Sequence, residues 1–275
     1  YLESINQIYF VACGTAMHAG LAGKNMIEHL CNIPCQVDIA SEFRYRNPII
    51  DDKTLCIFIS QSGETADTIA ALKLSKEKKA KTLAISNVIG SSITREADYS
   101  IYTHAGPEIA VASTKAYTSQ VMLLAILAIY FAETLGTSQT LVPSLKKDIL
   151  ELPKKIEETL NCKDQIKQFG HDIYQEKDVF FLGRGIDETV AKEGSLKLKE
   201  ISYIHADSYP AGELKHGPIA LIENGITVIS IMTDPTLVEK TVSNIQEVIT
   251  RGAKTLVVTN QDIDDTMFDV VIHIP

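Results

Sequence analysis

Residues 55–65 read Leu-Cys-Ile-Phe-Ile-Ser-Gln-Ser-Gly-Glu-Thr, an apolar run followed by small polar residues and one glycine. The run predicts a buried strand, and the residues after it predict a turn and a helix that begins near Thr65. Unpaired amide N–H groups and the positive end of the helix dipole point into such a turn, which favours a bound phosphate. Four side chains there can hydrogen-bond phosphate oxygens: Ser60, Gln61, Ser62 and Thr65. The alternative is an ordinary helix with Ser62 or Thr65 as its N-cap.

Composition limits the possible functions. The chain has 275 residues, 45% of them hydrophobic, which is enough for a large core in one or two domains. Its 26 basic and 35 acidic residues give a net charge of −9, so no overall field attracts nucleic acid. Five cysteines without a repeated CxxC pair indicate reduced thiols, with neither a disulfide framework nor a metal site.

No feature of the sequence predicts a membrane association. The longest apolar run, residues 121–132, is too short to cross a bilayer and predicts a buried helix. No signal peptide opens the chain, so we expect a cytoplasmic protein. Tyr1 stands where an initiator methionine is expected, which indicates a fragment or a processed product.

The order of segments predicts the fold class. Strand-like and helix-like segments alternate, which is typical of an α/β fold with mostly parallel strands. The chain also resembles itself at an offset of roughly 172 residues: 8–14 match 179–185, and 80–87 match 253–260. We therefore predict two doubly wound parallel-sheet subdomains related by internal duplication. The predicted parts are a first subdomain at 1–140, a helical linker at 141–178 and a second subdomain at 179–275.

The two halves differ at the predicted phosphate turn. At the offset, Ser60–Gly63 falls on Met232–Pro235, which lacks the glycine and contains Asp234. An aspartate there would repel a phosphate, so we expect only the first half to hold the anion. The first half continues past its last strand into a loop and the helix 117–135, whereas the second stops at Pro275. We therefore expect that a terminal loop and helix are missing.

Two glycine-containing turns raise the question of a dinucleotide site. Gly14 follows one strand and Gly183-x-Gly185 follows another, but Met17 and Glu188 occupy the third glycine position of the GxGxxG motif. No GxxxxGK[ST] motif is present. We therefore predict no nicotinamide, flavin or ATP site and no cofactor.

Glu193, Lys197 and Glu200 are spaced i, i+4 and i+7, which places them on one face of a helix. A solvated ion-pair ladder is the common outcome of such spacing. The functional interpretation is a base and an acid partner whose pKa values are pushed apart in a cleft. Gly194 lies among them, and a glycine within a helix indicates a close approach, which favours function.

Two further segments contain possible site residues. Residues 207–218 are rich in turn formers and carry His216. A histidine there can move protons near neutral pH, although a lone loop histidine is more often simply exposed. In residues 108–115, small side chains would let backbone amides approach a ligand; alternatively, Ser113 or Thr114 caps the following helix.

Four motifs together resemble one family, over essentially the whole chain. They are Ala12–Thr15, Ser60–Thr68, Glu108–Lys115 and the segment from Glu200 to Pro218. They resemble the sugar isomerase (SIS) domains of glutamine–fructose-6-phosphate aminotransferase. That family converts fructose 6-phosphate and ammonia drawn from glutamine into glucosamine 6-phosphate.

The resemblance implies a role for each matching residue. The phosphate would be held by Ser60, Gln61, Ser62 and Thr65. The sugar would be lined by Cys13, Gly14, Thr15, Val111, Ala112 and Ser113. On the catalytic face, Glu200 would be the base that moves a proton between C1 and C2 of the sugar. Lys197 would assist this base, and Glu193 would lie beside them. His216 would open the sugar ring in a neighbouring subunit, which implies a homodimer.

The family also has parts that this sequence does not show. It begins with a glutaminase domain and ends in a tail whose lysine forms a Schiff base with the sugar. We therefore expect this chain to be weakly active or only to bind. The alternatives are a non-catalytic SIS module that senses sugar phosphates and some other ketose- or aldose-phosphate isomerase. The acid–base face favours the enzyme, because a sensor needs only the phosphate turn.

Overall fold

The structure is a computed structural model that describes all 275 residues. It divides into two compact units, Tyr1–Lys147 and Asp148–Pro275. The segment predicted as a linker is helical, but its residues after Lys147 are counted with the second unit. The bounds 1–140, 141–178 and 179–275 remain a prediction about domains.

The first unit contains one parallel five-stranded sheet. Its strands are β1 (Gln7–Ala12), β2 (Cys35–Ile39), β3 (Thr54–Ser60), β4 (Lys81–Ser86) and β5 (Tyr99–Tyr102). Its helices are α1 (Thr15–Cys31), α2 (Ala40–Phe43), α3 (Ala66–Glu77), α4 (Ser92–Glu96) and α5 (Lys115–Leu135). The strand order is β2-β1-β3-β4-β5, with every neighbouring pair parallel. The order reverses between β1 and β3, and in such sheets ligands bind outside the carboxyl ends of these two strands.

The core of this unit follows directly from the apolar strands. Every residue of β3 is buried, as expected for a central strand covered on both faces. Phe10 of β1 and Phe58 of β3 are fully buried. The strand predicted from residues 55–59 is therefore confirmed, and α3 begins at Ala66, beside the predicted start near Thr65. Thr65 occupies the N-cap position but makes no side-chain cap hydrogen bond.

Helix α5 is longer than its apolar run. Its 21 residues are long and apolar enough to cross a membrane by length and composition, a test that core helices of soluble proteins also pass. It packs on α1, where a Cβ added at Gly23 would lie 3.1 Å from Leu124 Cδ1. Leu124 and Ala128 are fully buried, whereas Ile126 and Tyr130 are exposed. The buried helix expected from the sequence is thus buried on one side only.

The second unit repeats the architecture. Helix α6 (Val142–Thr159), the 3₁₀ turn Leu160–Cys162 and α7 (Lys163–Ile173) precede its sheet. The strands are β6 (Asp178–Gly183), β7 (His205–Pro210), β8 (Thr227–Met232), β9 (Lys254–Thr259) and β10 (Val270–His273), and the helices between them are α8 (Ile186–Ser202) and α9 (Val238–Ile249). From one edge the order is β7-β6-β8-β9-β10, the same path as in the first sheet. The predicted fold class, two doubly wound parallel sheets, is confirmed.

The duplication extends to individual hydrogen bonds. Asp98 Oδ2 accepts from the backbone N–H and the hydroxyl of Thr82, at 2.9 and 3.0 Å. Asp269 Oδ2 accepts the same two bonds from Thr255, at 2.7 and 3.0 Å. In both units the carboxylate joins the turn before the last strand to the start of the preceding strand.

The structure corrects one predicted boundary. The turn-rich loop predicted from Asp207 begins later, because β7 continues through Pro210. β7 lies at the edge of its sheet and pairs only with β6. Edge strands tolerate polar residues and a terminal proline, so the pattern resembles a loop.

Candidate active site

The turn between β3 and α3 is organised by its own hydroxyl groups. Ser60 Oγ accepts from the backbone N–H of Gly63 at 3.0 Å and lies 3.2 Å from Thr65 Oγ1. Ser62 Oγ accepts from the backbone N–H of Glu64 at 3.2 Å. Ser60 is only 4% exposed, so it shapes the turn from below. The hydroxyls retain acceptor and donor capacity for an oxyanion above them.

Gly63 is required in this turn for two reasons. Its φ is +69°, a conformation that favours glycine. In addition, a Cβ added there would lie 2.1 Å from Ser91 Oγ and 2.9 Å from Ser86 Oγ. The turn therefore packs directly on the end of β4 and on the residues that follow this strand.

Glu64, the acid within the motif, does not face the turn's hydroxyls. Its Oε1 accepts from the backbone N–H of Ser92 at 2.8 Å, in the first turn of α4. Hydrogen bonds from Ser92 hold the pKa of the Glu64 carboxyl below its ordinary value. Sequence reasoning missed this role, because the contact joins residues far apart in the chain.

The first turn of α3 offers further polar groups. The first amides of a helix have no partner within it, and they carry the positive end of the dipole. Thr68, in this turn, is 1% exposed, and its Oγ1 has no hydrogen-bond partner. This combination of free amides and hydroxyls suits an anion.

The corresponding turn of the second unit is occupied by a carboxylate of the chain itself. Asp187, 4% exposed, accepts from Thr233 through its backbone N–H at 2.8 Å and its hydroxyl at 2.5 Å. The backbone N–H of Asp234 adds a third contact at 3.4 Å. Gly14-Thr15-Ala16 corresponds to Gly185-Ile186-Asp187, so the first unit has Ala16 at this place.

That contact gives a new reason for the expected difference between the halves. The sequence pointed to Asp234 as the group that repels a phosphate, and it missed Asp187 altogether. A buried carboxylate already satisfies the donors that a phosphate would need. The expectation that only the first half holds an anion stays a prediction.

The residues predicted to contact the sugar lie in two places. Cys13, Gly14 and Thr15 span the end of β1 and the start of α1, beside the end of β3, because Val11 pairs with Phe58. Gly14 caps α1 with a φ of +54°. The structure thus brings these residues to the strand end next to the phosphate turn.

Val111, Ala112 and Ser113 lie in the segment between β5 and α5, and β4 separates β5 from β3 in the sheet. Val111 is 95% exposed. Ser113 Oγ donates to Glu108 Oε2 at 2.9 Å, which lowers the pKa of the Glu108 carboxyl. The segment is therefore stabilised internally and packs little on the core.

The thiols differ in their surroundings. All five cysteines are free. Burial raises the pKa of the Cys35 and Cys56 thiols to about 12 and that of Cys31 to about 11, so these three are unreactive. Cys13 is only partly buried. No group of three or more His, Cys, Asp or Glu side chains is arranged to hold a metal ion.

The acid–base face of α8 is a compact ionic cluster. Lys197 Nζ lies 2.5 Å from Glu200 Oε2 and 3.5 Å from Glu193 Oε1. The exposed fractions of these side chains are 17% for Lys197, 31% for Glu200 and 6% for Glu193. A solvated ladder would leave all three exposed. Here burial increases along the set from Glu200 to Glu193.

The glycine among these residues has a structural explanation. Gly194 was expected to mark a close approach, which was taken to favour function, and the structure shows such an approach. A Cβ added there would lie 2.9 Å from Phe181 Cε1, on β6 of the same unit. The glycine therefore lets α8 pack on its own sheet.

The segment with His216 follows β7 and is held by two buried anchors. Ala211 and Leu214 are fully buried, whereas His216 is exposed. A Cβ added at Gly212 would lie 2.8 Å from Arg184 Nη2. Arg184, which sequence reasoning missed, donates two bonds to Asn244 Oδ1 at 3.1 and 2.7 Å.

Two doubly wound parallel sheets, with a hydroxyl-rich turn at the carboxyl edge of the first, define the class of this chain. It belongs to the SIS domain family, whose model matches residues 1–130 and 172–275.

Within this family, the chain is similar to proteins that share one name. A glutamine–fructose-6-phosphate aminotransferase (isomerizing) from Clostridium tetani is 57% identical over 277 residues, which cover 100% of this chain and 46% of that protein. A protein of the same name from Clostridium perfringens is 56% identical over 280 residues, with the same coverage. The chain thus spans about half the length of these relatives.

A solved structure agrees with these relatives. It is the C-terminal domain of glucosamine-fructose-6-phosphate aminotransferase from Francisella tularensis. The TM-score is 0.94 at 38% identity, over 99% of this chain and 78% of that one.

Proposed function

We propose that this chain is the sugar-isomerising part of a glutamine–fructose-6-phosphate aminotransferase. It would convert fructose 6-phosphate and ammonia to glucosamine 6-phosphate and water. The names of the relatives, at 57% and 56% identity, support the choice of substrate and product. The remaining half of those relatives' length is where we place the glutaminase domain that supplies ammonia. We place the protein in the cytoplasm, with no nucleic acid or membrane partner and no cofactor.

The observation that carries the proposal is the Glu193–Lys197–Glu200 cluster. A sensor of sugar phosphates needs the phosphate turn but has no use for a carboxylate held 2.5 Å from an ammonium group that also contacts a buried glutamate. An isomerase needs such a pair, because a proton must leave one carbon and reach its neighbour. The cluster therefore favours the enzyme over the sensing module.

The roles of the site residues follow from their chemistry. Ser60, Gln61, Ser62 and Thr65 would bind the phosphate at the start of α3. Cys13, Gly14 and Thr15 would lie against the sugar, together with Val111, Ala112 and Ser113. Hydroxyls and backbone amides can bind a dianion here without a cation.

The reaction needs one proton transfer at carbon. Ammonia adds to C2 of the open-chain ketose and water leaves, which gives an imine with an acidified C1–H. Glu200 would take the proton from C1 and return it to C2, so that C1 becomes the aldehyde carbon. Lys197 would hold the Glu200 carboxylate in place, and Glu193 would hold Lys197 from its buried side.

His216 would open the sugar ring as an acid–base group. Its exposure supports a role towards a neighbouring subunit, so we propose a homodimer in which each copy completes the site of the other. Sedimentation analysis of the chain tests this part, since a monomer at all concentrations would contradict it.

The central test is deuterium exchange at C1 of fructose 6-phosphate in heavy water, since C2 of this ketose carries no hydrogen. We expect Glu200→Gln to bind the sugar phosphate but to lower the exchange rate by about 100-fold or more. The control is Glu158→Gln, which removes an ordinary helical ion pair with Lys154 at 3.7 Å. Unchanged exchange in Glu200→Gln would exclude this base, and binding without exchange in the wild type would favour the sensing module.

A further inference from the structure

Asn87 connects the two loops that carry the proposed ligand contacts in the first unit. It follows β4, the strand between β3 and β5, and its backbone N–H donates to the carbonyl of Gln61 at 3.1 Å. Its side chain reaches the loop after β5: Oδ1 accepts from Thr103 Oγ1 at 3.0 Å and from the backbone N–H of Ala105 at 2.8 Å. Nδ2 donates to the carbonyl of Gly106 at 2.7 Å.

These contacts require an amide in one orientation. The N–H of Ala105 needs an acceptor, and the carbonyl of Gly106 needs a donor. An aspartate at position 87 would retain the first contact and lose the second, and an alanine would lose both. The amide of Asn87 is therefore matched to this loop.

The loop after β5 needs such support. His104 has a φ of +51°, which is unfavourable for a residue with a Cβ, and Gly106 has a φ of +71°. Asn87 binds the residues on both sides of His104. Farther along, Ile109 and Val111 are 92% and 95% exposed, so packing contributes little to their position.

We infer that Asn87 is a positioning residue that holds segment 103–113 at a set distance from the phosphate turn, 60–65. This inference rests on the proposed function, because it assumes that the phosphate binds at the turn and the sugar contacts Val111–Ser113. Asn87 would then determine how much the sugar adds to the affinity for the phosphate. It would not contact the ligand itself.

The second unit contains a matched control. Asn260 follows β9 as Asn87 follows β4, and one backbone contact beside each corresponds. Ile274 N–H donates to the carbonyl of Thr259 at 2.9 Å, as Thr103 N–H donates to the carbonyl of Ser86 at 3.0 Å. The side chain of Asn260 differs, because its Oδ1 accepts from Nε2 of the adjacent Gln261 at 2.6 Å. The side chain of Asn260 therefore supports no distant loop, and its removal should leave the neighbouring loops in place.

The test is a calorimetric titration of the wild type, Asn87→Ala and Asn260→Ala with two ligands, fructose 6-phosphate and inorganic phosphate. We expect Asn87→Ala to weaken fructose 6-phosphate binding by about 10- to 100-fold, as for two or three lost hydrogen bonds. In the same variant, the affinity for inorganic phosphate should change less than about threefold. Asn260→Ala should change the affinity for neither ligand. A general loss of stability would instead weaken the binding of both ligands.

Each result decides one question. No change, or an equal loss for both ligands in Asn87→Ala, overturns the role of Asn87. A wild type that binds neither ligand contradicts the proposed function instead. Should circular dichroism show that Asn87→Ala is unfolded, Asn87→Asp replaces it, since only the bond to Gly106 is lost there. The ratio of the two affinities is then the readout, because the new charge repels both phosphates.

Discussion

Asp187 Oδ2 lies 2.8 Å from the backbone nitrogen of Thr233, at the place in the second unit that corresponds to the phosphate turn of the first. An internal carboxylate there satisfies the same kind of donors that a phosphate would satisfy. Ala16 corresponds to Asp187 in the first unit and has no group that can do this. One alanine-to-aspartate difference between the halves therefore supports the prediction that only the first turn holds an anion.

Asp187→Ala should destabilise the second unit. The variant leaves the amide and hydroxyl of Thr233 without their buried acceptor, so we expect the free energy of unfolding to fall by about 2 to 4 kcal/mol. Urea denaturation measures the change. The control is Asp234→Ala, whose carboxylate bonds only the exposed Thr236, and for which we expect about 1 kcal/mol or less. Equal losses in the two variants would contradict the importance of the buried contact.

Gly63→Ala should disrupt the phosphate turn. The new Cβ would lie 2.1 Å from Ser91 Oγ, and the positive φ is unfavourable for alanine. We therefore expect the free energy of unfolding to fall by about 2 to 4 kcal/mol and phosphate binding to be lost. Gly90→Ala is the matched control, since its φ is +71° but nothing lies within 4 Å. For this control we expect the free energy of unfolding to fall by only about 1 to 2 kcal/mol and phosphate binding to be retained. Similar results for the two glycines would show that the contact with Ser91 has no effect.

Gly212→Ala should displace the Arg184 guanidinium and move the segment with His216. Because His216 is proposed to open the sugar ring, we expect kcat for the aminosugar reaction to fall by about 10-fold or more, with KM nearly unchanged. Gly170→Ala on α7 is the control, since a Cβ there meets nothing and favours the helix. A normal kcat in Gly212→Ala would mean that Arg184 does not determine the position of His216.

Ser113→Ala should raise the pKa of Glu108 towards its ordinary value of 4.5, because the hydrogen bond from Ser113 lowers it. The folded-state pKa lies below the unfolded one, so the stabilisation is present above about pH 4.5 and is lost as the pH falls through the lowered pKa. Carboxyl NMR titration measures both pKa values. Glu64, whose pKa is lowered by Ser92 and not by Ser113, is the internal reference. A shift of Glu64 in the same variant would indicate a general change.

The successful sequence predictions rest on local patterns. The strand at 55–59 and the helix beginning at Ala66 follow from an apolar run and the small polar residues after it, which are neighbours in the chain. The duplication was visible because both halves repeat their strands at one offset. These features required no knowledge of which segments touch.

The features that the sequence did not predict depend on contacts between residues that are distant in the chain. β7 was partly assigned to a loop because an edge strand need not show an alternating pattern. Gly194 indicated a close approach without its partner, and Phe181 of the adjacent strand is that partner. The role of Asn87 had no signal in the sequence at all, since its three side-chain partners lie 16 to 19 residues away.

Composition and periodicity were sufficient to establish an α/β chain with two similar halves and a hydroxyl-rich turn at the start of a helix. The folded arrangement alone decided that Asp187 closes the second turn, that Glu64 caps α4 and that Lys197 lies between two carboxylates of unequal burial. Periodicity depends on neighbouring residues, whereas a hydrogen bond such as Asp187–Thr233 joins residues 46 positions apart. Such contacts exist only once the order of strands in the sheet has brought their ends together.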